Sequence, residues 1–316
     1  RLRELRAWVQ SWAHPAHHAG VPAKSATDAW YSTALELEHS RLTHVPSCAA
    51  SVDIYKCFDQ VNRPLVYALA RRAGLPGHIL GPYRAFLEES QAHFQFGRTI
   101  GEAHRARTSI PQGCPFSMVM IALLTLPWIR LVQREGAHPR VLADDLLFTT
   151  AGEHCDIILA HVFYLTTQFM ERAGARLALP ENGKPGKCFV CASDESTRAL
   201  LRQFRWGDAR DPLPVRTAFR DLGAHLNVSC KVDGSTLTAR IRSAVVALGR
   251  LRHVPVSHAH KVTAVTTHIL PRALYGAEAT HVAKSRLQDL RSAIANVVGP
   301  QSLRASTDLA FALTGR

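Results

Sequence analysis

The segment Val141-Leu142-Ala143-Asp144-Asp145-Leu146-Leu147-Phe148 sets two adjacent carboxylates inside an otherwise apolar, strand-like run. Ionised groups in such a setting are costly unless something compensates them. One compensation is a hard divalent cation, since Mg²⁺ takes one or two carboxylates together with substrate phosphates. The other reading is a tight Asp-Asp hairpin turn that leaves both groups in water. A third carboxylate, Asp53, ends the alternating run of Ser51-Val52-Asp53-Ile54-Tyr55. Coming from a different strand, it could join Asp144 in a two-ion site of the kind that performs phosphoryl transfer. Alone, Asp53 reads equally well as an N-cap for the segment after it. Ser109-Ile110-Pro111-Gln112-Gly113-Cys114-Pro115 is a tight turn entering a helix. Its amides and the Gln112 side chain could contact a sugar or phosphate, or it is a plain strand-to-helix turn.

Elements of both kinds must hold these groups. Apolar residues at helical spacing predict helices over 1–12, 25–38, 63–73, 79–89, 115–134 and 153–173. Alternation predicts strands over 49–55 and 94–96, and strand character over 140–150, 189–190 and 218–228. The end of the chain reads as amphipathic, basic helices over 237–252, 257–270 and 284–298. Central strands with helices around them, not strictly alternating, predict an α+β fold with a separate helical end.

The 316 residues carry 38 Lys and Arg against 25 Asp and Glu, a formal charge of +13 and a pI near 9.9. Residues 231–316 alone hold 12 basic and 4 acidic residues, which points to a polyanionic partner. A hydrophobic content of 47% excludes a disordered chain, and no repeat or low-complexity stretch is present. The uncharged stretch 108–129 contains Pro111, Pro115 and Pro127 and reads as a turn feeding a buried helix too short to cross a membrane. Seven scattered Cys without a secretory signal predict a reduced, intracellular setting. Cys188 and Cys191 form a CxxC that His225 and Cys230 would have to complete as a zinc site, but no second pair stands at standard spacing. His14, His17 and His18 read as surface or fingers residues rather than ligands. The first residue is Arg, and the chain reads as a fragment.

As an ordered set, these features resemble the palm motifs of reverse transcriptases, specifically those of non-LTR retrotransposons, with group II intron-type enzymes close behind. Residues 53–61 (DIYKCFDQV) resemble the first motif, 109–117 (SIPQGCPFS) the second and 142–145 (LADD) the third. Residues 187–193 (KCFVCAS) resemble the fourth and 219–226 (FRDLGAHL) the fifth. Residues 17–30 (HHAGVPAKSATDAW) are similar to the fingers segment before the palm, and 268–278 (HILPRALYGAE) to the thumb. The resemblance implies a right-hand polymerase with an antiparallel-sheet palm, partial fingers and a helical thumb. The fingers would occupy 1–45, the palm 46–230 with a helical insertion at about 60–105, and the basic thumb 231–316.

It implies RNA-directed DNA synthesis with an RNA template, a DNA or RNA primer and dNTPs, two Mg²⁺ ions with Mn²⁺ as a substitute, and no membrane. A nuclear location would follow for a eukaryotic retrotransposon. Asp53, Asp144 and Asp145 would be the metal ligands, and Phe58 the ring that excludes a 2′-hydroxyl by steric rejection. Gln112 and Gly113 would position nucleotide and template, and Leu222-Gly223 would form the primer-grip turn. Lys187 would donate a proton to the departing pyrophosphate, with Lys184 as its competitor. Two positions depart from the pattern: Leu142 stands where an aromatic residue usually precedes Ala-Asp-Asp, and the Asn usual before the fourth-motif lysine is missing from its place. The competing readings are an RNA-dependent RNA polymerase, against which Ala143 and Phe58 speak, and an inactive relative that only binds RNA.

Overall fold

A computed structural model describes residues 2–299 apart from 208, 210 and 230–232. The chain divides into two units, Arg1–Thr217 and Ala218–Arg316. The hairpin over 218–227, placed with the palm from the sequence, belongs to the second unit.

In the first unit, α1 (Leu2–Trp12) and α2 (Ala26–Thr43) come first. Ser25 starts α2 as half of a capping box, its hydroxyl accepting from the Asp28 N–H and the Asp28 carboxylate accepting from the Ser25 N–H. Next come β1 (Ser47–Asp53), α3 (Cys57–Gln60), α4 (Arg63–Arg72) and α5 (Gly77–Glu89). The exposed strands β2 (Ala92–Phe96) and β3 (Thr99–His104) pair as a hairpin turned at Gly97. Then follow α6 (Pro115–Arg134), β4 (His138–Leu142), β5 (Asp145–Ala151), α7 (Cys155–Arg172), β6 (Phe189–Ala192), α8 (Glu195–Leu201) and β7 (Val215–Arg216).

Five of these strands form one sheet in the order β4-β5-β1-β6-β7, antiparallel except for the last pair. Strand β1 lies at its centre. Its alternation sends Cys48, Ala50 and Val52 into the main core with Leu146 and Phe148 of β5 and Val190 and Ala192 of β6. The opposite face therefore carries Ala49, Ser51 and Asp53. Helices α6 and α7 supply Met120, Ile121, Trp128, Ile129, Leu159 and Phe163 to that core. The indole of Trp128 donates to the Thr166 hydroxyl at 3.0 Å, which satisfies its buried N–H. The α+β class and the antiparallel sheet agree with the sequence expectation.

Three local expectations change. Helix α6 starts favourably at a proline and keeps the expected bounds, but its 20 residues are long and apolar enough to cross a membrane, against the expectation of a helix too short to do so. What places it in the core is packing: Met120, Ile121, Trp128, Ile129 and Val132 have no exposed surface. Strand β3 and helix α8 were not expected, because Thr99–His104 has no alternating apolar run and is exposed throughout, and α8 is short.

The third change concerns the histidines. His17 and His18 are buried, since the segment 16–18 runs beside β4. The Val141 N–H donates to the Ala16 carbonyl at 2.9 Å, and the His18 N–H to the Val141 carbonyl at 2.8 Å. Burial pushes both imidazoles down to about 4, helped by His14 at His17 and by Lys24 and Arg140 at His18. Their folded values lie below the unfolded value, so the unfolded chain binds more protons. Their stabilising contribution is complete above pH 6.5 and is lost as pH falls toward 4. Melting at pH 5 is expected to show a loss of about 2 kcal/mol for His17 alone relative to pH 7. His17→Gln should flatten that part of the pH profile.

The second unit opens with the hairpin β8 (Ala218–Asp221) and β9 (Ala224–Asn227), turned at Leu222-Gly223 as expected. Its helices are α9 (Ser235–Arg252), α10 (His258–Ala264), α11 (Leu270–Leu274) and α12 (Lys284–Val298). Leu237, Ile241 and Leu248 pack against Val265, Ala273, Leu290 and Ile294 in a separate small core. The single helix expected over 257–270 is instead α10, a π-turn over Val265–Ile269, and α11. The proline at 271 explains the wider turn: its ring would clash with the Thr267 carbonyl in a regular helix. The Leu270 N–H donates to the Val265 carbonyl, five residues back.

Candidate active site

Asp53 is the last residue of β1 and stands opposite Asp145, the first of β5. Directly opposed residues of antiparallel strands project on one face. Leu142 pairs with the same Asp145, so Ala143 and Asp144 form a two-residue hairpin turn between β4 and β5. Ala143 holds a φ of 57° there, a left-handed conformation unusual for a residue with a Cβ. The metal-site and hairpin-turn readings of Asp144-Asp145 are therefore compatible, because the turn itself delivers the pair to the end of β1. Asp53 does not cap the next helix: Lys56 holds the N-cap position of α3, with no side-chain cap.

The end of β1 is clamped on its other side. The Ala178 N–H donates to the Asp53 carbonyl and the Tyr55 N–H to the Arg176 carbonyl, both at 2.9 Å. Gln60 ties the same segment twice, its amide donating to the Tyr55 carbonyl and its side-chain oxygen accepting from the Arg176 N–H. The Lys187 N–H donates to the Ala178 carbonyl at 2.8 Å, which carries its side chain over Asp53. The Lys187 ammonium then donates to both carboxylate oxygens of Asp53, at 3.0 and 3.3 Å. Lys184 lies in a separate turn, bonded through its backbone to Glu181. Of the two competing lysines, only Lys187 is brought to the carboxylates.

Gly186 permits this crossing. A Cβ at that position would lie 2.4 Å from the Pro180 nitrogen and 2.5 Å from the Ala178 carbonyl oxygen. Gly186→Ala is expected to destabilise the chain by about 2 kcal/mol and to displace Lys187 from Asp53. Chemical denaturation measures the first effect, and the pH titration of Lys187 by NMR the second. Nothing in the local pattern around Gly186 marks this role, because the segment it approaches, Ala178–Pro180, is brought there only by the fold.

The electrostatics of the cluster are those of crowded like charges. Asp145 is exposed as a residue, yet desolvation of its carboxyl, then the charges of Asp144 and Asp53, raise its pKa to about 6, against a lowering by Lys187. Burial, then Asp144 and Asp53, pushes the neighbouring Cys57 thiol up to about 12. The bond to Asp53 and its charge hold the Lys187 ammonium above its ordinary value.

Among the described residues, no three His, Cys, Asp or Glu side chains form a ready-made ion cage. Three oxygen donors under mutual repulsion nevertheless suit a hard divalent cation that takes its remaining ligands from substrate phosphates and water.

The second and first motifs are joined through backbone. The Ile110 N–H donates to the Phe58 carbonyl at 2.9 Å, and the Ser109 N–H to the Val61 carbonyl at 3.1 Å. Arg63, which the sequence did not single out, seals this junction. Its buried guanidinium donates to the Ser109 and Leu87 carbonyls, each at 2.8 Å, and lies 3.7 Å from Glu88. Phe58 is half-buried against the main core. Gln112 and Gly113 are exposed at the start of α6, with Gly113 at a φ of 82°.

Leu222 and Gly223, in the second unit, take left-handed φ values of 46° and 92° in their hairpin turn. Cys188, just before β6, and Cys191, on it, are buried free thiols three positions apart along the extended chain, hence on opposite faces. Cys230 lies outside the described residues. The zinc reading finds no converging ligands among the described residues. A closer pair is Cys48 and Cys155, whose buried sulfurs are 3.4 Å apart as thiols.

No protein-family model and no curated protein matches the chain. Among solved structures it is similar to apo telomerase from Candida tropicalis truncated from the C-terminal domain, at 12% identity and a TM-score of 0.49, over 72% of this chain and 42% of that one. It is similar to telomerase from Candida tropicalis in complex with a TWJ fragment of telomeric RNA, at 10% identity and 0.49, over 99% of this chain and 55% of that one. For the corresponding complex from Candida albicans the values are 14%, 0.49, 94% and 50%. The chain spans about half the length of these structures. Likeness at this level says nothing of chemistry, and the functional reading rests on the residues themselves.

Proposed function

We propose that the chain is the catalytic part of a reverse transcriptase of the non-LTR retrotransposon type, extending a primer with dNTPs on an RNA template. The observation that carries this reading is the pairing of Asp53 with Asp145 at the end of β1, with Asp144 in the adjoining turn. It joins the first and third motifs of the resemblance at one sheet end. In this reading residues 1–45 belong to the fingers, the sheet to the palm, and the basic C-terminal helices to the thumb.

The primer 3′-hydroxyl attacks the α-phosphorus of a dNTP, forming a phosphodiester bond and releasing pyrophosphate. Two Mg²⁺ ions, for which Mn²⁺ can substitute, supply charge neutralisation and a lowered hydroxyl pKa when bound. Asp53 and Asp144 would hold them as principal ligands, and Asp145 would complete the carboxylate set. Lys187, kept protonated by its contact with Asp53, has a proton available for the pyrophosphate. Phe58 bars the 2′-hydroxyl of a ribonucleotide, while Gln112 and Gly113 face nucleotide and template. Leu222-Gly223 supports the primer end.

Primer extension on an RNA template tests the proposal, with dNTPs and NTPs compared and Asp144→Asn as the control. The expected result is dNTP incorporation that the variant lacks. Dominant NTP use would assign an RNA polymerase instead, and equal signals from parent and variant would leave only RNA binding.

A further inference from the structure

The second unit contains a cleft of about 570 Å³ lined by Arg220, Thr236, Arg240, Ser243, Arg272 and Tyr275, together with Ala239 and Pro271. It has a defined construction. Thr236, Ala239, Arg240 and Ser243 follow one another at helical spacing and make one face of α9. Arg220 comes from β8, on the side of the strand opposite the buried Phe219, and Arg272 comes from α11.

Among the described residues, no acidic side chain lines the cleft and none stands within ion-pair distance of Arg220 or Arg272. Three guanidinium groups thus gather without a counter-charge. Arg240 feels this directly: burial, then the charges of Arg220 and Arg272, lower its pKa.

Arg240 has a structural task of its own. Its guanidinium donates to the Tyr275 and Gly223 carbonyls, each at 2.6 Å, and lies 5.4 Å from the centre of the Tyr275 ring. The Tyr275 hydroxyl donates in turn to the Leu222 carbonyl at 3.1 Å. Hairpin, α9 and the end of α11 are therefore tied together around the cleft, so its walls are set before any ligand arrives. Arg220 and Arg272 remain exposed, and Ser243 and Thr236, the latter's hydroxyl 2.9 Å from His225 Nδ1, add polar groups to the lining.

Planar guanidinium donors pair with phosphate oxygens in two parallel bonds. A fixed cleft with unneutralised arginines and hydroxyls, and no carboxylate, is complementary to a phosphate group and repels other cations.

We propose that this cleft is a phosphate-binding site in which Arg220 and Arg272 grip the phosphate and Arg240 holds the walls. The inference does not depend on polymerase activity, since it uses no residue of the carboxylate cluster. The phosphate can belong to a polynucleotide backbone or to a free polyphosphate, and the test separates the two.

The full chain is titrated against a labelled single-stranded oligodeoxythymidylate by fluorescence anisotropy over a salt series, and against sodium triphosphate by calorimetry. Arg220→Ala and Arg272→Ala are compared with Arg250→Ala, which removes an exposed arginine of α9 outside the cleft. Thermal melting checks that all three remain folded. A backbone phosphate in the cleft predicts about tenfold weaker oligonucleotide binding for each cleft variant. The slope of log K against log salt should also fall in magnitude by about 0.7 for each lost contact. A free polyphosphate predicts loss of triphosphate binding with the oligonucleotide curve unchanged. Cleft variants that match the parent on both probes, or lose no more than Arg250→Ala does, overturn the proposal.

Discussion

Replacing Asp144 with asparagine is expected to lower nucleotide incorporation by at least about a thousandfold while leaving the fold as stable as before or more so. The two effects have one cause. Asp144 adds a negative charge beside Asp53 and Asp145, and that charge helps to raise the Asp145 pKa to about 6. A residue kept for stability would not be placed where it repels its neighbours. Removing the charge relieves the repulsion, and on the proposed reading it would also remove a principal ligand from a site whose cations would contribute several kcal/mol of transition-state stabilisation. Single-turnover primer extension measures the first effect, and thermal melting the second. An Asp144→Asn chain that incorporates nucleotide at the parental rate would overturn the assignment of the cluster.

The same electrostatics predict a pH dependence. The raised folded pKa of Asp145 means that the native state binds its proton more readily than the unfolded chain does. Its contribution to stability therefore improves as pH falls through about 6 toward the ordinary value, opposite in sign to that of His17 and His18. Protons and cations compete for the same oxygens. Apparent Mg²⁺ affinity should weaken below pH 6, and Asp145→Asn should remove that step.

Phe58→Ala is expected to raise the use of NTPs relative to dNTPs by one to two orders of magnitude, on the order that steric pockets achieve. The cost in stability should be about 1–3 kcal/mol, below that for a fully buried phenylalanine, because Phe58 only partly enters the core. Its backbone link to Ile110 survives the truncation, so the turn carrying Gln112 stays in place. Phe58→Leu separates the two contributions. It restores most of the apolar contact and should recover stability more fully than sugar discrimination. Unchanged NTP use in Phe58→Ala, with the stability loss present, would leave the ring a purely structural role.

Much of this molecule was legible before folding. Helix α6 announced itself by twenty residues without an acidic side chain and with a proline at its start. The hairpin turn at Leu222-Gly223 was implied only by the resemblance of 219–226 to the fifth motif, since the residues alone read as strand throughout 218–228. Other features had no local signal. The burial of His17 and His18 depends on a main-chain bridge to Val141, far away in the sequence. The role of Arg63 depends on carbonyls at Leu87 and Ser109, and the composition around position 63 does not distinguish it from any other helical arginine.

The sequence by itself determined which chemistry is available: three carboxylates in apolar surroundings, a lysine, a bulky ring, and an excess of positive charge toward the C-terminus. Side-chain type and spacing carry that information, because periodicity assigns residues to faces and composition sets charge. Only the tertiary structure decided which of these groups meet. Strand register set Asp53 opposite Asp145, the close passage of Gly186 brought Lys187 rather than Lys184 to Asp53, and the Arg240 bridge shaped a cleft around arginines distant in the chain. Register and crossing are set by core packing across the whole sheet, where a slip of one residue would turn every side chain to the other face, and no local stretch of sequence contains that constraint.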